Sequence, residues 1–285
     1  MLEEKTFYYS EKQGRGFPVL FLPAAGFLGN EGQNIADVIL DDFQTHLLDL
    51  PGMGRGQGIK KRCTTKEMAE WVKGYLDQEG IDQVHVIGHS LGGALGMAFA
   101  AHYPKRVSKL VLLDQGHKPF PRIPKNEFGP FAYAFPVLSG AVRLFGRPIL
   151  QKLEPLFAGS PTNYEDRDID QEVHDFCEQF NLENTAYIRK AKEIPAEFSV
   201  DGLNLMFGYY QTNLPKLLKR IESKTFLAYA TFKEVDEKEQ RYTQKYIKSW
   251  SNGGELSLRS VNGGHYVHWA DEGLLTDIHD FLKGT

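Results

Sequence analysis

Features that would assign this 285-residue chain to several specialised classes of protein are scarce or missing. Cysteine occurs only twice, as Cys63 and Cys177, which lie far apart and in no metal-ligand spacing. The sequence therefore predicts two reduced thiols, without a disulfide framework or a metal site. The stretch 1–5, MLEEK, is acidic and lacks the apolar region of a secretory signal, and no apolar run approaches the ~18 residues needed to span a bilayer. A cytoplasmic protein without a membrane span is expected.

An excess of charge of one sign is also missing. The formal net charge is −4, and no dense cluster of lysine and arginine suggests a surface that follows phosphates, so nucleic acid is not an expected partner. The composition, with 41% hydrophobic and 25% charged residues, is that of an ordinary globular protein. It gives no indication of the oligomeric state.

Short β-rich runs alternate with helical stretches in the first and last parts of the chain. Strands are predicted at about 19–22, 45–50, 84–87, 109–113, 226–230 and 256–261. Helices are predicted at about 65–78, 92–103, 237–250 and 274–282. This alternation predicts an α/β fold, a mostly parallel doubly wound sheet with helices on both faces.

The alternation stops between residues 118 and 223, where no clear strand is found and helical pieces interrupted by proline are rich in Phe and Tyr. This segment is predicted to be a helical lid inserted into one sheet domain, so that 1–117 and 224–285 form the core and 118–223 the lid. A single aromatic residue of a lid more often packs than lines a pocket. Together, however, the aromatic residues favour a small-molecule substrate with an apolar portion.

The pentapeptide Gly88-His89-Ser90-Leu91-Gly92 matches the G-x-S-x-G pattern of a nucleophile elbow. An apolar strand leads into it and a helix of small residues leads out. The chain must turn sharply there, and side chains at Gly88 and Gly92 would collide with neighbouring backbone. The turn would hold the Ser90 hydroxyl clear of the sheet at a helix N-terminus, whose amides and dipole favour developing negative charge.

The stretch 88–114, GHSLGGALGMAFAAHYPKRVSKLVLLD, resembles the core of the α/β-hydrolase family, in its serine hydrolase or esterase branch. The loop 49–56, DLPGMGRG, resembles the family's turn after the preceding strand, and 263–265, GGH, resembles its C-terminal histidine turn. The likeness covers both ends of the chain and leaves out the insertion, where the family varies most. It implies a catalytic triad in the chain order serine, acid, histidine, with Ser90 as the nucleophile.

The resemblance implies that the base is a histidine on the loop after the last strand, where only His265 and His268 lie. His265 follows two glycines that permit a tight turn, so it is expected to take the proton of Ser90 during attack and to return it to the leaving group. His268 is expected to pack beside Trp269. The two histidines are not expected to bind a metal, because no third ligand cluster is evident.

The acid of the triad is where the sequence departs from the family's pattern. The usual place lies just beyond the strand at 226–230, and an ungapped alignment puts Lys233 there, which cannot accept a hydrogen bond from an imidazole. Glu234 and Asp236 are near, and a longer loop would let Asp236 serve. The family's other solution places the acid before the insertion, where Asp114 stands. Asp114 and Asp236 both remain candidates, with Asp114 preferred because the later site is irregular.

Two backbone N–H groups should meet the charge of a tetrahedral intermediate. Leu91, directly after the nucleophile, is expected to supply one. The other should come from the loop after the strand at 19–22, where Pro23-Ala24-Ala25-Gly26 replaces the family's usual His-Gly start. Pro23 has no N–H, so Ala25 is the expected donor and Ala24 the second choice. Removing such a donor typically costs ~3 kcal/mol of transition-state stabilisation.

These residues predict a serine-dependent, carboxylesterase-like hydrolase that needs no cofactor and cleaves a carboxylic ester, lactone or thioester through an acyl-enzyme on Ser90. One alternative keeps the triad but changes the reaction, to cofactor-free perhydrolysis or hydrolysis of a carbon–carbon bond. Another is a small-molecule sensor or signalling protein that retains the triad without turnover, because a fold does not dictate a function. The irregular acid keeps that alternative open.

Overall fold

A seven-stranded sheet forms the centre of the computed structural model, which describes residues 6–119, 131–157, 167–250 and 256–284. The strands are β1 (Ser10–Gly14), β2 (Phe17–Leu22), β3 (Phe43–Leu48), β4 (Val84–His89), β5 (Val107–Leu113), β6 (Lys224–Ala230) and β7 (Leu256–Val261). The helices are α1 (Gln33–Ile39), α2 (Thr65–Glu79), α3 (Ser90–His102), α4 (Phe131–Phe145), α5 (Arg147–Phe157), α6 (Ile169–Phe180), α7 (Ala186–Glu193), α8 (Val200–Tyr210), α9 (Leu214–Leu218), α10 (Glu237–Ile247), α11 (Val267–Ala270) and α12 (Glu272–Lys283). Short 3₁₀ helices lie at Gly29–Gly32 and Pro104–Arg106. None of the helices in these four stretches has the length and apolar character needed to cross a membrane.

The strands are ordered β1-β3-β2-β4-β5-β6-β7, and all neighbours pair in parallel except β1 with β3. The predicted α/β fold with a mostly parallel sheet is therefore confirmed, and every strand predicted from an apolar run is present. The edge strand β1 was not predicted, because its sequence, SEKQG, contains no apolar side chain. Such a strand is held by its backbone pairing at the edge of the sheet and leaves no apolar pattern in the sequence.

Helices cover both faces of the sheet, and the strands supply apolar side chains to each. On one face, Leu20 and Val86 belong to the same buried cluster as residues of α2 and α3. On the other face, Val19 and Ile87 pack in a cluster with α1 and α12. Because successive residues of a strand point to opposite faces, strands covered on both sides are apolar throughout most of their length. This explains why the central strands could be predicted from short apolar runs.

The elements described between β5 and β6 are all helices, α4 to α9. Leu203 of α8 and Leu217 of α9 lie in the same buried cluster as α2 and α3. Helices α6 and α7 instead pack on the loop that follows β2 and on the segment around α11. The division into a core and a lid at 118–223 stays a prediction, and within it α8 and α9 are packed as parts of the main body.

The glycine-rich turn after β3 lies in close contact with α8. Gly52 has a φ of 71°, and a Cβ atom on it would lie 2.3 Å from the nitrogen of Gly202. The N–H of Ser199 donates to the Gly52 oxygen at 3.1 Å. The glycines of this turn therefore allow two backbones to touch.

His85, near the start of β4, makes the stability of the fold sensitive to acid. It is 5% exposed and lies against the rings of Phe17 and Phe43. Burial, followed by the charge of Lys109, lowers the pKa of His85 from 6.5 to about 4. Between these values the unfolded chain binds a proton that the folded chain does not, so the free energy of unfolding falls as the pH falls.

We expect His85→Phe to reduce the loss of unfolding free energy between pH 7 and pH 5 by about 2 kcal/mol, because the phenyl ring cannot titrate. Urea denaturation of wild type and variant at both pH values measures the difference. The exposed His174 on α6 provides the control, and His174→Phe should leave the loss unchanged. Equal acid sensitivity in wild type and His85→Phe would contradict the role assigned to His85.

Candidate active site

The turn from β4 into α3 places Ser90 at the carboxyl end of the sheet. Ser90 has a φ of 49°, in the left-handed region that residues other than glycine rarely adopt. A Cβ atom on Gly88 would lie 2.6 Å from the backbone of α3, and one on Gly92 would lie 2.2 Å from the oxygen of Leu22. The N–H of Gly92 donates to the oxygen of Pro23 at 3.0 Å. The close packing expected at the two glycines of the pentapeptide is thus present.

The two backbone amides predicted to bind the oxyanion have no hydrogen-bond partner within the described residues. The N–H of Leu91 lies in the first turn of α3, where no helical partner exists, and it makes no hydrogen bond within the described residues. The N–H of Ala25, in the loop after β2, also makes no hydrogen bond within the described residues. The N–H of Ala24, the second choice from sequence, instead donates to a carboxylate oxygen of Glu31 at 2.6 Å.

Asp114 and His265 are brought together from positions 151 residues apart, with His265 Nδ1 2.7 Å from Asp114 Oδ2. The other carboxylate oxygen, Oδ1, accepts the N–H of Ala230 at 3.1 Å. The N–H of Asp114 donates to the oxygen of Ala228 at 2.7 Å, so β6 holds the acid at two points. An acid fixed in this way orients the imidazole and sets its tautomer.

The surroundings of Asp114 keep it ionised although its side chain is only 1% exposed. Burial by itself raises the pKa of Asp114, but the Lys118 ammonium, 3.8 Å from Oδ1, and the hydrogen bond from His265 outweigh burial and hold that pKa well below its usual value. His117 lies 3.8 Å from the same oxygen. Burial, followed by the charge of Lys118, lowers the pKa of His117 to about 3, so this ring is neutral.

The other two acids considered from the sequence lie elsewhere. Asp236 is the N-cap of α10 and accepts two backbone N–H groups of the first helical turn, at 2.8 and 3.0 Å. The Glu234 side chain is 79% exposed and lies 3.6 Å from the Lys233 ammonium. The carboxylate within hydrogen-bond distance of His265 Nδ1 is that of Asp114.

Two residues that the sequence analysis missed connect the elbow to its surroundings. His89 Nε2 lies 3.1 Å from the main-chain oxygen of His265, and the centroids of the two rings are 4.7 Å apart. Gln115 Nε2 donates to the main-chain oxygen of Ser90 at 2.8 Å and to the hydroxyl of Tyr209 on α8 at 2.7 Å. The pentapeptide pattern leaves the position of His89 open and Gln115 belongs to no motif, so neither gave a signal.

One group of three side chains of metal-binding types occurs among the described residues: Glu31, His89 and His268, with their donor atoms within 4.8 Å of one another. Glu31 Oε1 lies 2.6 Å from His89 Nδ1. Two ligands that each stand about 2.1 Å from a tetrahedral metal ion would be about 3.4 Å apart. The observed separation is that of a hydrogen bond. The expectation that the protein needs no metal stays a prediction.

Aromatic side chains from three segments form an apolar cluster next to the histidine loop. Phe27, from the loop after β2, packs there with Phe176 of α6 and with Tyr266 and Trp269. The ring centroids of Phe176 and Tyr266 are 4.8 Å apart, and those of Tyr266 and Trp269 are 5.3 Å apart. Since Tyr266 directly follows His265, this packing anchors the loop that carries the imidazole.

Part of the chain is similar in sequence to known hydrolases. The chain is 36% identical over 95 residues to the 2-hydroxy-6-oxononadienedioate/2-hydroxy-6-oxononatrienedioate hydrolase 1 of Dechloromonas aromatica, which is 33% of each protein. It is 32% identical over 122 residues to the 2-hydroxy-6-oxo-6-phenylhexa-2,4-dienoate hydrolase of Comamonas testosteroni, covering 40% of this chain and 42% of that protein. The chain therefore spans less than half the length of these curated relatives.

The structural similarity and the match to a family model both cover more of the chain than the sequence relatives do. A thermophilic esterase from Thermogutta terrifontis is similar in structure with a TM-score of 0.64 at 19% identity, over 98% of this chain and 93% of that one. At this identity the likeness shows a common fold. Residues 18–272 match the family model described as alpha/beta hydrolase fold. The resemblance seen in the sequence is confirmed, and the chain belongs to the α/β-hydrolase fold family.

Proposed function

We propose that this chain is a serine-dependent hydrolase that cleaves a carboxylic ester through an acyl-enzyme on Ser90. The observation that carries the proposal is the 2.7 Å contact between His265 Nδ1 and Asp114 Oδ2, at the carboxyl end of the sheet, where the elbow also lies. This contact supports the role of base for His265 and that of acid for Asp114. The main-chain contact from His89 to His265 supports the nearness of the base to the nucleophile.

In this mechanism Asp114 accepts the Nδ1–H of His265, so the unprotonated Nε2 takes the proton of the Ser90 hydroxyl. Ser90 Oγ forms a bond to the carbonyl carbon while the electron pair of the C=O bond moves to oxygen. The N–H groups of Leu91 and Ala25 donate to that oxyanion. Collapse expels the alcohol, which receives the proton from His265, and a water molecule releases the acid by the same steps.

Among the described residues, the cation next to Asp114 is already engaged by other groups, which favours a substrate without a carboxylate. The Lys118 ammonium, which faces Asp114 at 3.8 Å, also donates to the hydroxyl of Thr243 at 3.3 Å and lies 4.0 Å from Glu239. A cation shared among these groups is poorly placed to receive a further anion. The aromatic residues of the insertion, as noted in the sequence, favour a substrate with an apolar portion.

Hydrolysis of a carbon–carbon bond is the second candidate, and it is favoured by the names of the sequence relatives, which are hydrolases of 2-hydroxy-6-oxo dienoates. Ser90 would attack the ketone carbon at position 6 of such a substrate. The bond that breaks then releases a carbon leaving group, which must be protonated in place of an alcohol. The same three side chains serve both reactions, so the substrate decides between them.

A substrate panel separates the two reactions. We expect p-nitrophenyl acetate and butyrate to be hydrolysed with a kcat/KM at least about tenfold above that for 2-hydroxy-6-oxo-6-phenylhexa-2,4-dienoate, because an unpaired substrate carboxylate costs more than the ~1.4 kcal/mol that tenfold represents. Release of p-nitrophenolate and loss of the dienoate absorbance measure the two rates. A higher kcat/KM for the dienoate than for the esters would mean that the reaction is hydrolysis of a carbon–carbon bond. Binding without turnover of either substrate would favour a sensor.

A further inference from the structure

Glu31 is a fully buried carboxylate that the proposed mechanism does not use. It lies in the short 3₁₀ helix Gly29–Gly32, and its side chain is 0% exposed. One oxygen, Oε2, accepts the N–H of Ala24 at 2.6 Å, and the other, Oε1, lies 2.6 Å from His89 Nδ1. Taking a carboxylate out of water is costly even when its hydrogen bonds are good. The groups that it holds therefore indicate its role.

The donors and acceptors around His89 fix the number of protons on this pair. His89 Nε2 lies 3.1 Å from the main-chain oxygen of His265, and because a carbonyl only accepts, Nε2 carries a hydrogen. Nδ1 faces a carboxyl oxygen of Glu31, so a second proton lies between these two atoms. The pair of Glu31 and His89 therefore holds two protons and is neutral as a whole.

His268 packs against the pair without adding charge. It is 1% exposed, its Nε2 lies 3.9 Å from Glu31 Oε1, and neither ring nitrogen has a hydrogen-bond partner within the described residues. Burial, and then the neighbouring His89, lowers the pKa of His268 well below its ordinary value, so the ring is neutral. His265 and Tyr266 are the other titratable rings at His89, with centroids 4.7 and 5.2 Å away. In such an enclosed place each hydrogen bond is strong and its loss is costly.

We propose that Glu31 is a positioning residue of the hydrolytic site, an inference that rests on the proposed function. Through Ala24 it holds the loop whose next amide, that of Ala25, serves the oxyanion. Through His89 it holds the residue before the nucleophile and the main chain of His265. One side chain thus sets the relative positions of three separate segments that carry the amide donor, the nucleophile and the base. Rates in such sites depend on displacements of an ångström or less.

Three substitutions of Glu31 test this role with p-nitrophenyl butyrate as substrate. Glu31→Leu removes both contacts and should lower kcat by about 100-fold, with KM changed by less than about threefold. Glu31→Gln should keep kcat within about fivefold of wild type, because the amide oxygen can accept from Ala24 while the amide NH₂ donates to His89 Nδ1. Glu31→Asp is one methylene shorter and reaches one partner only, so its kcat should lie between the two. It also provides a result if Glu31→Leu does not fold.

A stability control separates positioning from a general loss of structure. His85 lies at the opposite end of β4 from His89. The His85→Ala variant should therefore have a lower melting temperature and an unchanged kcat. A wild-type kcat in folded Glu31→Leu or Glu31→Asp would overturn the proposal. An equal loss in Glu31→Gln and Glu31→Leu would overturn it as well, because the hydrogen bonds would then not be the cause.

Labelling with a fluorophosphonate probe distinguishes a failure of this inference from a failure of the proposed function. The probe forms a bond from an activated serine oxygen to phosphorus and releases fluoride. If wild type reacts no faster than Ser90→Ala, the proposed function fails. If wild type reacts rapidly and Glu31→Leu reacts at the same rate, only the positioning role of Glu31 fails. We expect rapid labelling of wild type and labelling about 100-fold slower in Glu31→Leu.

Discussion

Replacing Ser90 with alanine should lower kcat for p-nitrophenyl butyrate by about 10⁵-fold or more, because the substitution removes the oxygen that forms the acyl-enzyme. The amides of Leu91 and Ala25 stay in place, so a small residual rate above that of water is expected. Stopped-flow measurement of p-nitrophenolate release gives both the initial burst and the steady-state rate. The burst should be present in wild type and absent in the variant.

The control for this substitution is Ser257→Ala, which removes an exposed hydroxyl on β7. We expect its kcat to stay within about twofold of wild type, since surface substitutions away from the site are usually almost neutral. Circular dichroism should confirm that both variants are folded. A folded Ser90→Ala variant that keeps even a tenth of the wild-type rate would show that another group is the nucleophile.

Asp114→Asn should lower kcat by about 10³- to 10⁴-fold. An asparagine that keeps its oxygen on the N–H of Ala230 points its NH₂ group at His265 Nδ1. The imidazole then holds its proton on Nε2 and cannot accept one from Ser90. Steady-state kinetics at neutral pH, with the folded fraction checked by circular dichroism, measures the loss.

Asp236→Asn is the matched control, because the sequence offered Asp236 as the other acid. Asparagine caps helices about as well as aspartate, so α10 should keep its N-cap and kcat should change by less than about twofold. A loss in Asp236→Asn as large as in Asp114→Asn would mean that the acid acts from the later loop. It would require a rearrangement of that loop in the working enzyme.

The sheet was largely predictable from the sequence, and the reason is physical. Strands such as β2 and β5 are covered by helices on both faces, and burial on both faces demands continuous apolar runs. The edge strand β1 has no such demand and was missed. Helix α1, which is seven residues long, was missed too, because a helix of two turns offers too few positions for a periodic pattern.

The choice between the two acids shows what a sequence cannot supply. After β6 the backbone turns through left-handed conformations at Phe232 and Glu234, with φ values of 55° and 63°. This turn delivers Asp236 to the first turn of α10 instead of toward His265. Asp114 also has a left-handed φ, 46°, which carries its side chain to the imidazole. The identity of residues such as Asp114, Phe232 and Glu234 does not reveal that their backbone is left-handed.

Glu31 escaped notice for a related reason. In the sequence it stands between glycines and polar residues, in the stretch Gly29-Asn30-Glu31-Gly32, which has the composition of an exposed turn. Its burial depends on the fit of that turn beneath the loop after β2 and against His89, two contacts that arise only when the sheet is assembled. Local composition reports on neither contact.

The contact between Gly52 and Gly202 sets a limit on redesign of this protein. Because even a methyl group has no space between these two backbones, α8 cannot move closer to the turn after β3. Tyr209 of α8 is also linked to the elbow by the hydrogen bonds of Gln115. Attempts to widen substrate scope by repacking α8 would disturb the turn that carries Ser90, the proposed nucleophile. Libraries aimed at new substrates should therefore leave α8 unchanged.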